Sequence, residues 1–205
     1  TRRSSDLATA RRLKGRRVAV LTTIGGAGTL IADCLGVAGF ETPAPDASTV
    51  AALRTLQPGV AAALDSNPID VTLAGLQPNI LRGAIAALLA SPHYDALVVI
   101  VGSSGLATPE LMAGAIRDCL PASEKPVVAF VSPHAPEVGA VLTRYGVTAY
   151  ANPEGCAVAL AGLLHASVSV PDGHVITKSD ASHVLGVQGD LSDLPVGTLD
   201  EACSK

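Results

Sequence analysis

The chain has 205 residues, of which 48% are hydrophobic and 2% are aromatic, and its formal net charge is −4. This balance gives no reason to expect a nucleic-acid partner, and the longest apolar run, at residues 96–101, is far too short to cross a bilayer. The four cysteines are isolated from one another, which is typical of thiols in a reducing compartment, so we predict a cytoplasmic location.

The N-terminal segment concentrates basic charge. Seven of the 14 lysines and arginines precede residue 18, namely Arg2, Arg3, Arg11, Arg12, Lys14, Arg16 and Arg17. Clustered like charges are usually solvated, so we predict that residues 1–15 are a linker that leads into the first strand. An arm that binds a phosphate or a partner is the alternative interpretation.

A glycine-rich turn follows the first apolar run. Residues 17–23 predict a buried strand, and a helix is predicted over residues 27–37. Glycines let the backbone approach a ligand, and the free amides of a helix N-terminus favour an anion. We therefore predict a phosphate-binding turn made by Gly25, Gly26, Ala27, Gly28 and Thr29. The P-loop and dinucleotide-binding spacings are both absent, so a plain strand-to-helix turn is the alternative.

Helices and strands alternate along the rest of the chain. Helical patterns cover residues 48–56, 78–90, 109–119, 136–145 and 153–165, with Ser48 and Asn152 as caps and Gly39 and Gly146 at helix ends. Further strands are predicted at 40–42, 95–101, 127–131 and 147–150, and a polar loop at 65–72. This alternation predicts an α/β fold, a flavodoxin-like doubly wound parallel sheet of five strands with helices on both faces.

In such a sheet, ligands lie beyond the carboxyl ends of the strands, where the strand order reverses. The loops at residues 22–28 and 102–106 meet there, and both are rich in glycine and hydroxyl side chains. We predict that the site is shaped by Asn67, Asp70, Gly102, Ser103 and Ser104. Neither a metal site nor a catalytic side chain is predicted in this segment.

Several stretches, in order, carry a resemblance to a known family. They are residues 15–22, Gly25-Gly26-Ala27-Gly28, Asn67-Pro68-Ile69-Asp70-Val71-Thr72, and residues 95–101, 125–129 and 146–154. Over about residues 15–165 the chain resembles the second flavodoxin-like ligase domain of the NDP-forming acyl-CoA synthetases, the acetyl-CoA and succinyl-CoA synthetase superfamily. Residues 197–205 resemble the opening of that family's ATP-grasp domain. We therefore predict a linker at 1–15, a ligase domain at 16–165 and a second linker at 166–205.

The resemblance implies a reaction of an acid, CoA and ATP that gives acyl-CoA, ADP and phosphate through a phosphohistidine on another domain. It implies that Gly25, Gly26, Ala27 and Gly28 help to stabilise that phosphohistidine, and Asp70 is a candidate for positioning its loop. The implied partners are the CoA-binding, phosphohistidine-bearing and ATP-grasp domains. CoA, ATP and Mg²⁺ belong to the full-length enzyme, with none bound by this segment alone. The segment lacks the Ser-His-Thr-Gly motif and is expected to be inactive in isolation.

Two other functions stay open. The first is a free-standing flavodoxin-like module that binds FMN or another small phosphate ligand, although Tyr94 and Tyr145 fall at the wrong ends of their elements to hold a flavin ring. The second is a structural or regulatory domain that keeps the fold without the chemistry.

Overall fold

A computed structural model describes residues 13–57, 64–103 and 105–168 of the chain. Most of the N-terminal linker predicted at 1–15, most of the C-terminal linker predicted at 166–205, and Ser104 lie outside these described residues. In the part that is described, no helix combines the length and the apolar character needed to cross a membrane. The linker boundaries remain predictions.

Five parallel strands form one sheet. They are β1 (Val18–Thr22), β2 (Ile69–Asp70), β3 (Ala96–Val101), β4 (Val127–Val131) and β5 (Thr148–Tyr150), in the spatial order β2-β1-β3-β4-β5. Every residue of β1 and β3 is buried, as expected for parallel strands covered on both faces. The register places Val20 opposite Val98, and Val98 opposite Val128. The predicted flavodoxin-like fold is confirmed, and its strand order reverses between β1 and β3.

Helices cover both faces of the sheet. In the described residues they are α1 (Gly25–Val37), α2 (Ala47–Leu56), α3 (Pro78–Ala90), α4 (Pro109–Cys119), α5 (Pro136–Arg144) and α6 (Pro153–Val168). Short 3₁₀ turns at Leu73–Leu76 and Leu120–Ala122 follow β2 and α4. Helices α1 and α6 share one core with the sheet, which contains Ile31, Leu35 and Leu160, and the other four helices pack on the opposite face. Both cores are built mainly from aliphatic side chains.

Most predicted helix ends are confirmed because the signals that set them are local. Helices α3, α4 and α5 each carry a proline in the first turn, where a missing amide N–H costs nothing. Gly39 and Gly146 adopt φ values of 81° and 78°, the left-handed region that glycine tolerates at a helix end. The Asn152 Oδ1 accepts a hydrogen bond from the Gly155 amide at 2.6 Å, and α6 continues past residue 165 to Val168.

The predicted second strand is wrong. At residues 40–42, only Glu41 forms an isolated bridge, with Arg17, whereas β2 lies inside the stretch predicted to be a polar loop. There Ile69 is fully buried and pairs with Leu21 of β1. A strand of two paired residues gives too short a hydrophobic pattern to be distinguished from a loop, so it could not be predicted from the sequence.

A side chain extends the pairing of this short strand. Asn67 Oδ1 accepts a hydrogen bond from the Val20 amide at 3.0 Å, and its Nδ2 donates to the Val18 carbonyl at 2.9 Å. The same nitrogen donates to the Pro43 carbonyl at 3.1 Å. The Asn67 side-chain amide therefore makes the hydrogen bonds to the buried backbone of β1 that a further residue of a neighbouring strand would otherwise make.

Two helix starts also differ from the prediction. Helix α1 begins at Gly25 rather than residue 27, so the glycines form its first turn. Helix α2 is capped by Asp46 rather than Ser48, and the Asp46 carboxylate accepts hydrogen bonds from the Thr49 amide at 3.0 Å and the Ser91 hydroxyl at 2.8 Å. Hydrogen bonds from Ser48, Thr49 and Ser91 hold the pKa of Asp46 well below its usual range.

We expect Asp46→Ala to lower the free energy of unfolding by about 1–2 kcal/mol at neutral pH, the usual cost of losing a helix cap. The carboxylate's pKa is depressed in the folded chain, so its contribution is present above about pH 4 and is lost as the pH falls below that. Urea unfolding at pH 7 and pH 3 should therefore show the gap between parent and variant shrinking in acid. Asp33→Ala is the control, because it removes an exposed carboxylate that caps no helix. A gap that stays constant contradicts an ionised cap.

Candidate functional site

The predicted site lies at the carboxyl end of β1, where the chain turns into α1. Thr22 fixes this turn with its own hydroxyl, which accepts a hydrogen bond from the Ile24 amide at 2.9 Å and donates to the Ile24 carbonyl at 2.8 Å. Ile24 is extended, with φ −140° and ψ 107°, and its side chain makes no capping hydrogen bond. The helix therefore starts at Gly25 without a side-chain cap for its first amides.

Three backbone amides at this helix end are unpaired within the described part of the chain, those of Gly25, Gly26 and Ala27. The first turn of α1 contains no acidic residue that would neutralise the positive end of the helix dipole. Gly25 and Gly26 are exposed, and a Cβ built on Gly26 meets no atom within 4 Å. Unpaired donors, helix polarity and open space thus coincide at Gly26.

The structure separates the five residues predicted to bind phosphate into two groups. The Gly28 amide donates to the Ile24 carbonyl at 3.3 Å, and from Thr29 onward the amides lie within the helical hydrogen-bond pattern. Gly28 and Thr29 therefore have no free amide to offer, and the prediction narrows to Gly25, Gly26 and Ala27. These three remain candidates.

Close packing requires a glycine at position 28. It is buried, and a Cβ built on it would lie 2.9 Å from Pro68 Cβ and 3.2 Å from Thr22 Cγ2. Since real Cβ atoms almost never approach so closely, a side chain at this position would push α1 away from the loop that precedes β2. The absence of a side chain at Gly28 therefore sets the distance between α1 and the sheet.

Asp70 lies beside the start of α1. Its Oδ2 is 3.7 Å from the position of a Cβ built on Gly25, while its Oδ1 accepts a hydrogen bond from the Thr72 amide at 2.8 Å. This bond ties the Asp70 side chain to the backbone of its own loop. One carboxylate oxygen thus holds the loop, and the other faces the turn that starts α1, where it brings negative charge and an acceptor.

The other residues predicted to shape the site have different roles. Gly102 is buried at the end of β3, and a Cβ there would clash with the Ile24 side chain, so this glycine lets the two loops pack together. Asn67 satisfies β1. Ser103 is exposed, and no hydrogen bond joins its side chain to the turn within the described residues. Ser104 lies outside those residues.

Thr72, two residues after Asp70, was not among the predicted site residues. It adopts φ 55° and ψ −164°, a region that is strained for any residue with a side chain and especially for a β-branched one. Its hydroxyl accepts a hydrogen bond from the Ala74 amide at 3.4 Å, and its amide is held by Asp70. No sequence signal could have shown this, because threonine seldom occupies such a conformation.

Other parts of the molecule offer weaker sites. A crevice at the amino end of the sheet is lined by Lys14, Tyr94, Asp95, Ser123, Glu124 and Lys125, far from the strand ends where a ligand is expected. Tyr94 is 1% exposed and donates to the Pro43 carbonyl, so its ring is not available to a flavin. Among the described residues, no three histidine, cysteine or acidic side chains are grouped in a way that could hold a metal ion.

Comparisons with known proteins give a consistent result. No protein-family model matches the sequence. The chain is 31% identical over 169 residues to the alpha subunit of acetate–CoA ligase [ADP-forming] II from Pyrococcus furiosus, an alignment that covers 78% of this chain and 36% of that subunit. The chain thus spans about a third of the length of the curated relative that it matches.

Solved structures agree. The crystal structure of PH0766 from Pyrococcus horikoshii OT3 superposes with a TM-score of 0.68 at 26% identity, over 79% of this chain and 38% of that one. A dinucleotide forming acetyl-coenzyme A synthetase 1 from Ca. Korarchaeum cryptofilum gives a TM-score of 0.65 in its apo form, at 28% identity, over 79% of this chain and 35% of that one. Its complex with phosphate and ADP also gives 0.65, at 27% identity, over 80% and 38%.

The strand order and the ligand edge define a flavodoxin-like α/β domain. The sequence relative and the structural relatives narrow this class further, because two of them are named as acetyl-CoA-forming ligases. By sequence and by structure, the chain is related to the NDP-forming acetyl-CoA synthetases.

Proposed function

We propose that the chain serves as a ligase domain of an NDP-forming acyl-CoA synthetase, which converts an acid, CoA and ATP to acyl-CoA, ADP and phosphate. In this proposal the N-terminus of α1 stabilises a phosphohistidine that another domain carries. The observation that supports it most directly is the set of three unpaired amides at Gly25, Gly26 and Ala27, on the ligand edge of a domain whose curated relative is an ADP-forming ligase.

The physical argument is electrostatic. A helix N-terminus carries about half a positive charge, and its unpaired amides are fixed donors that can hydrogen-bond to the oxygens of a phosphoryl group at the helix end. Because the donors are fixed before the phosphate arrives, no reorganisation is needed when charge moves onto it. The open space at Gly26 lets the phosphoryl oxygens approach the backbone directly.

Asp70 gives this arrangement a second component. A bare phosphate would be repelled by the Asp70 carboxylate, whose Oδ2 lies near Gly25. A phosphorylated imidazole carries a phosphoryl group on one ring nitrogen, and its other ring nitrogen is an N–H donor when the ring is protonated. We therefore assign the amides to the phosphoryl oxygens and the Asp70 oxygen to the N–H of the protonated ring, an interaction that free phosphate cannot make.

The other substrates are assigned to other domains. The sequence has no P-loop that would hold ATP, and the resemblance implies that CoA and ATP bind to neighbouring domains. A structural relative was solved in complex with phosphate and ADP, both products of the proposed reaction. Mg²⁺ is expected with the nucleotide. The role left for this chain is to bind and orient the phosphorylated side chain.

Phosphate titration of the 205-residue chain, followed by amide NMR, tests the cradle directly. We expect weak binding that shifts the amide resonances of Gly25, Gly26 and Ala27, because these donors are unpaired. The Gly36 amide, at the other end of the same helix, is the internal control, and chloride at equal ionic strength controls for screening. Asp70→Asn should tighten binding of free phosphate by removing the repulsion. Shifts confined to other parts of the chain would contradict the proposal.

A further inference from the structure

The loop that follows β2 contains a backbone conformation that is normally adopted by glycine. Thr72 has φ 55° and ψ −164°, and among the described residues it is the one non-glycine residue with a positive φ. This region is disfavoured for any residue with a Cβ, whereas glycine would adopt it without strain. Such conformations persist where the surrounding contacts over-determine them, and they are found mainly at functional sites.

Hydrogen bonds hold the backbone on both sides of Thr72. The Val71 amide donates to the Thr22 carbonyl at 3.0 Å, and the Val71 carbonyl accepts from Gln57 Nε2 at 2.8 Å. The Gly75 amide donates to the carbonyls of Val71 and Thr72, both at 3.1 Å. Val71 is 1% exposed and Gln57 is 5% exposed, so water does not compete easily for these bonds. Thr72 therefore cannot relax to a negative φ without breaking contacts on one side of it.

The side chain of Thr72 adds a restraint that glycine would lack. Its hydroxyl accepts a hydrogen bond from the Ala74 amide at 3.4 Å, at the start of the 3₁₀ turn. A β-branched side chain has few rotamers, so few alternative conformations of the loop keep this hydroxyl bonded. Glycine would relieve the strain but would also allow many other values of φ and ψ. Threonine thus restricts the loop more than glycine would, at a cost in free energy.

This conformation determines where the Asp70 carboxylate lies. Asp70 Oδ1 accepts a hydrogen bond from the Thr72 amide at 2.8 Å, which within the described residues is the one hydrogen bond that this carboxylate makes. Asp70 Oδ2 lies 3.7 Å from a Cβ built on Gly25, at the start of α1. The backbone of Asp70 is fixed by its pairing with Thr22 in the sheet, so the freedom left to the carboxylate is rotation of the side chain. The amide of the strained residue limits that rotation.

We propose that Thr72 is a positioning residue that holds the Asp70 carboxylate in one orientation, with Oδ2 facing the first turn of α1. This inference rests on the proposed function, in which that oxygen accepts the N–H of the protonated ring of a phosphorylated histidine. An acceptor that is oriented before the ring arrives loses less entropy on binding than one that rotates freely. The strain at Thr72 is the stability given up for this orientation.

Side-chain NMR of Asp70 in the 205-residue chain tests the positioning directly. In the parent, the couplings between its Hα and Hβ protons should have the values of a single staggered rotamer. Thr72→Gly should move them to the averaged values of a freely rotating side chain. Thr72→Ser keeps the Cβ and the hydroxyl and should preserve the parental couplings. Leu73→Gly, at an exposed position of the same loop, is the matched control for an added glycine and should also preserve them.

Two coupling results would overturn the proposal: averaged values already present in the parent, and single-rotamer values that persist in Thr72→Gly. Urea unfolding separates positioning from a folding defect. Thr72→Gly should unfold at the parental urea concentration or above it, because the strain at this residue is relieved. A Thr72→Gly protein that unfolds at a markedly lower urea concentration would show that the conformation is not strained, which also contradicts the proposal.

Binding of inorganic phosphate gives a readout that a merely structural role would not change. Thr72→Gly should tighten phosphate binding to the 205-residue chain by about two- to threefold, because the Asp70 charge would no longer be held beside α1. Asp70→Asn should act in the same direction, and adding Thr72→Gly to it should change the affinity no further. A gain from Thr72→Gly that persists in the Asp70→Asn background would show that Thr72 acts independently of Asp70.

Kinetics of the complete synthetase extend the test to the reaction. Thr72→Gly should lower kcat for phosphorylation of the histidine by about tenfold with little change in the KM for ATP, because the acceptor is no longer oriented. Thr72→Ser should recover most of the rate. An equal loss caused by Thr72→Gly in an Asp70→Ala background would contradict a role that acts through Asp70.

The positioning of Asp70 and the phosphate cradle can fail separately. If phosphate leaves the amides of α1 unshifted while the Asp70 couplings respond to Thr72→Gly, the cradle fails and the positioning holds. If phosphate shifts those amides but the couplings do not respond, the cradle holds and the positioning fails.

Discussion

Replacing Gly26 by valine in the complete synthetase is expected to slow both phosphorylation and dephosphorylation of the histidine by about 10²–10³-fold, the usual cost of losing preorganised donors in an enclosed site. A Cβ on Gly26 enters open space, so the domain should fold normally while the side chain blocks the approach to the amides. Affinities for CoA and ATP should be nearly unchanged, because those pockets are assigned to other domains. Single-turnover phosphorylation with labelled ATP measures the effect.

Gly36→Val is the matched control for this experiment. Gly36 lies near the other end of α1, and a Cβ there also meets nothing within 4 Å, so the same substitution is made in the same helix without blocking the amides. Its phosphorylation rate should equal that of the parent, and both variants should unfold at the parental urea concentration. If Gly26→Val is well folded and phosphorylates at the parental rate, the glycine turn is only a turn.

Gly28 would be a poor choice for the same test. Because its missing side chain accommodates Pro68, Gly28→Val would displace α1 and confuse a loss of packing with a loss of phosphate binding. The sequence alone makes the three glycines look equivalent. Only the packing around each one shows that Gly26 borders open space and Gly28 borders the loop before β2.

Asn67→Ala is expected to destabilise the domain by about 2–4 kcal/mol and to lower its melting temperature by roughly 10 °C, because buried donors and acceptors lose their partners. The Val20 amide and the Val18 carbonyl lie on strand residues that are fully buried, so water cannot easily replace the Asn67 amide. Thermal and urea unfolding of the 205-residue chain measure the loss.

Two further variants define what Asn67 contributes. Asn79→Ala, at an exposed position in the first turn of α3, should change stability much less. Asn67→Asp keeps an oxygen to accept from the Val20 amide but places a carboxylate against the Val18 and Pro43 carbonyls, so it should also be strongly destabilising. An Asn67→Asp protein as stable as the parent would contradict the role of the Nδ2 donor.

The sequence determined the elements whose causes are local. The apolar runs of β1, β3 and β4 form strands because their residues are suited to burial on both faces, and prolines, Asn152 and the two left-handed glycines set the helix ends. The alternation of these elements was enough to predict the sheet order and therefore the edge at which a ligand is expected. The expected location of the site followed from topology before any side chain was placed.

The tertiary structure decided what depends on contacts between distant residues. Asn67 lies 47 positions from Val20, and no local pattern indicates that its side chain completes a strand. The start of α1 at Gly25, and with it the set of unpaired amides, depends on how the Thr22 hydroxyl and Ile24 hold the turn. The proximity of Asp70 to Gly25 and of Gly102 to Ile24 depends on how the loops pack against the end of the sheet. Periodicity fixes which residues face the core, but only the packed layers fix which backbone groups remain unpaired, because a hydrogen bond or a close contact depends on distances that the sequence does not contain.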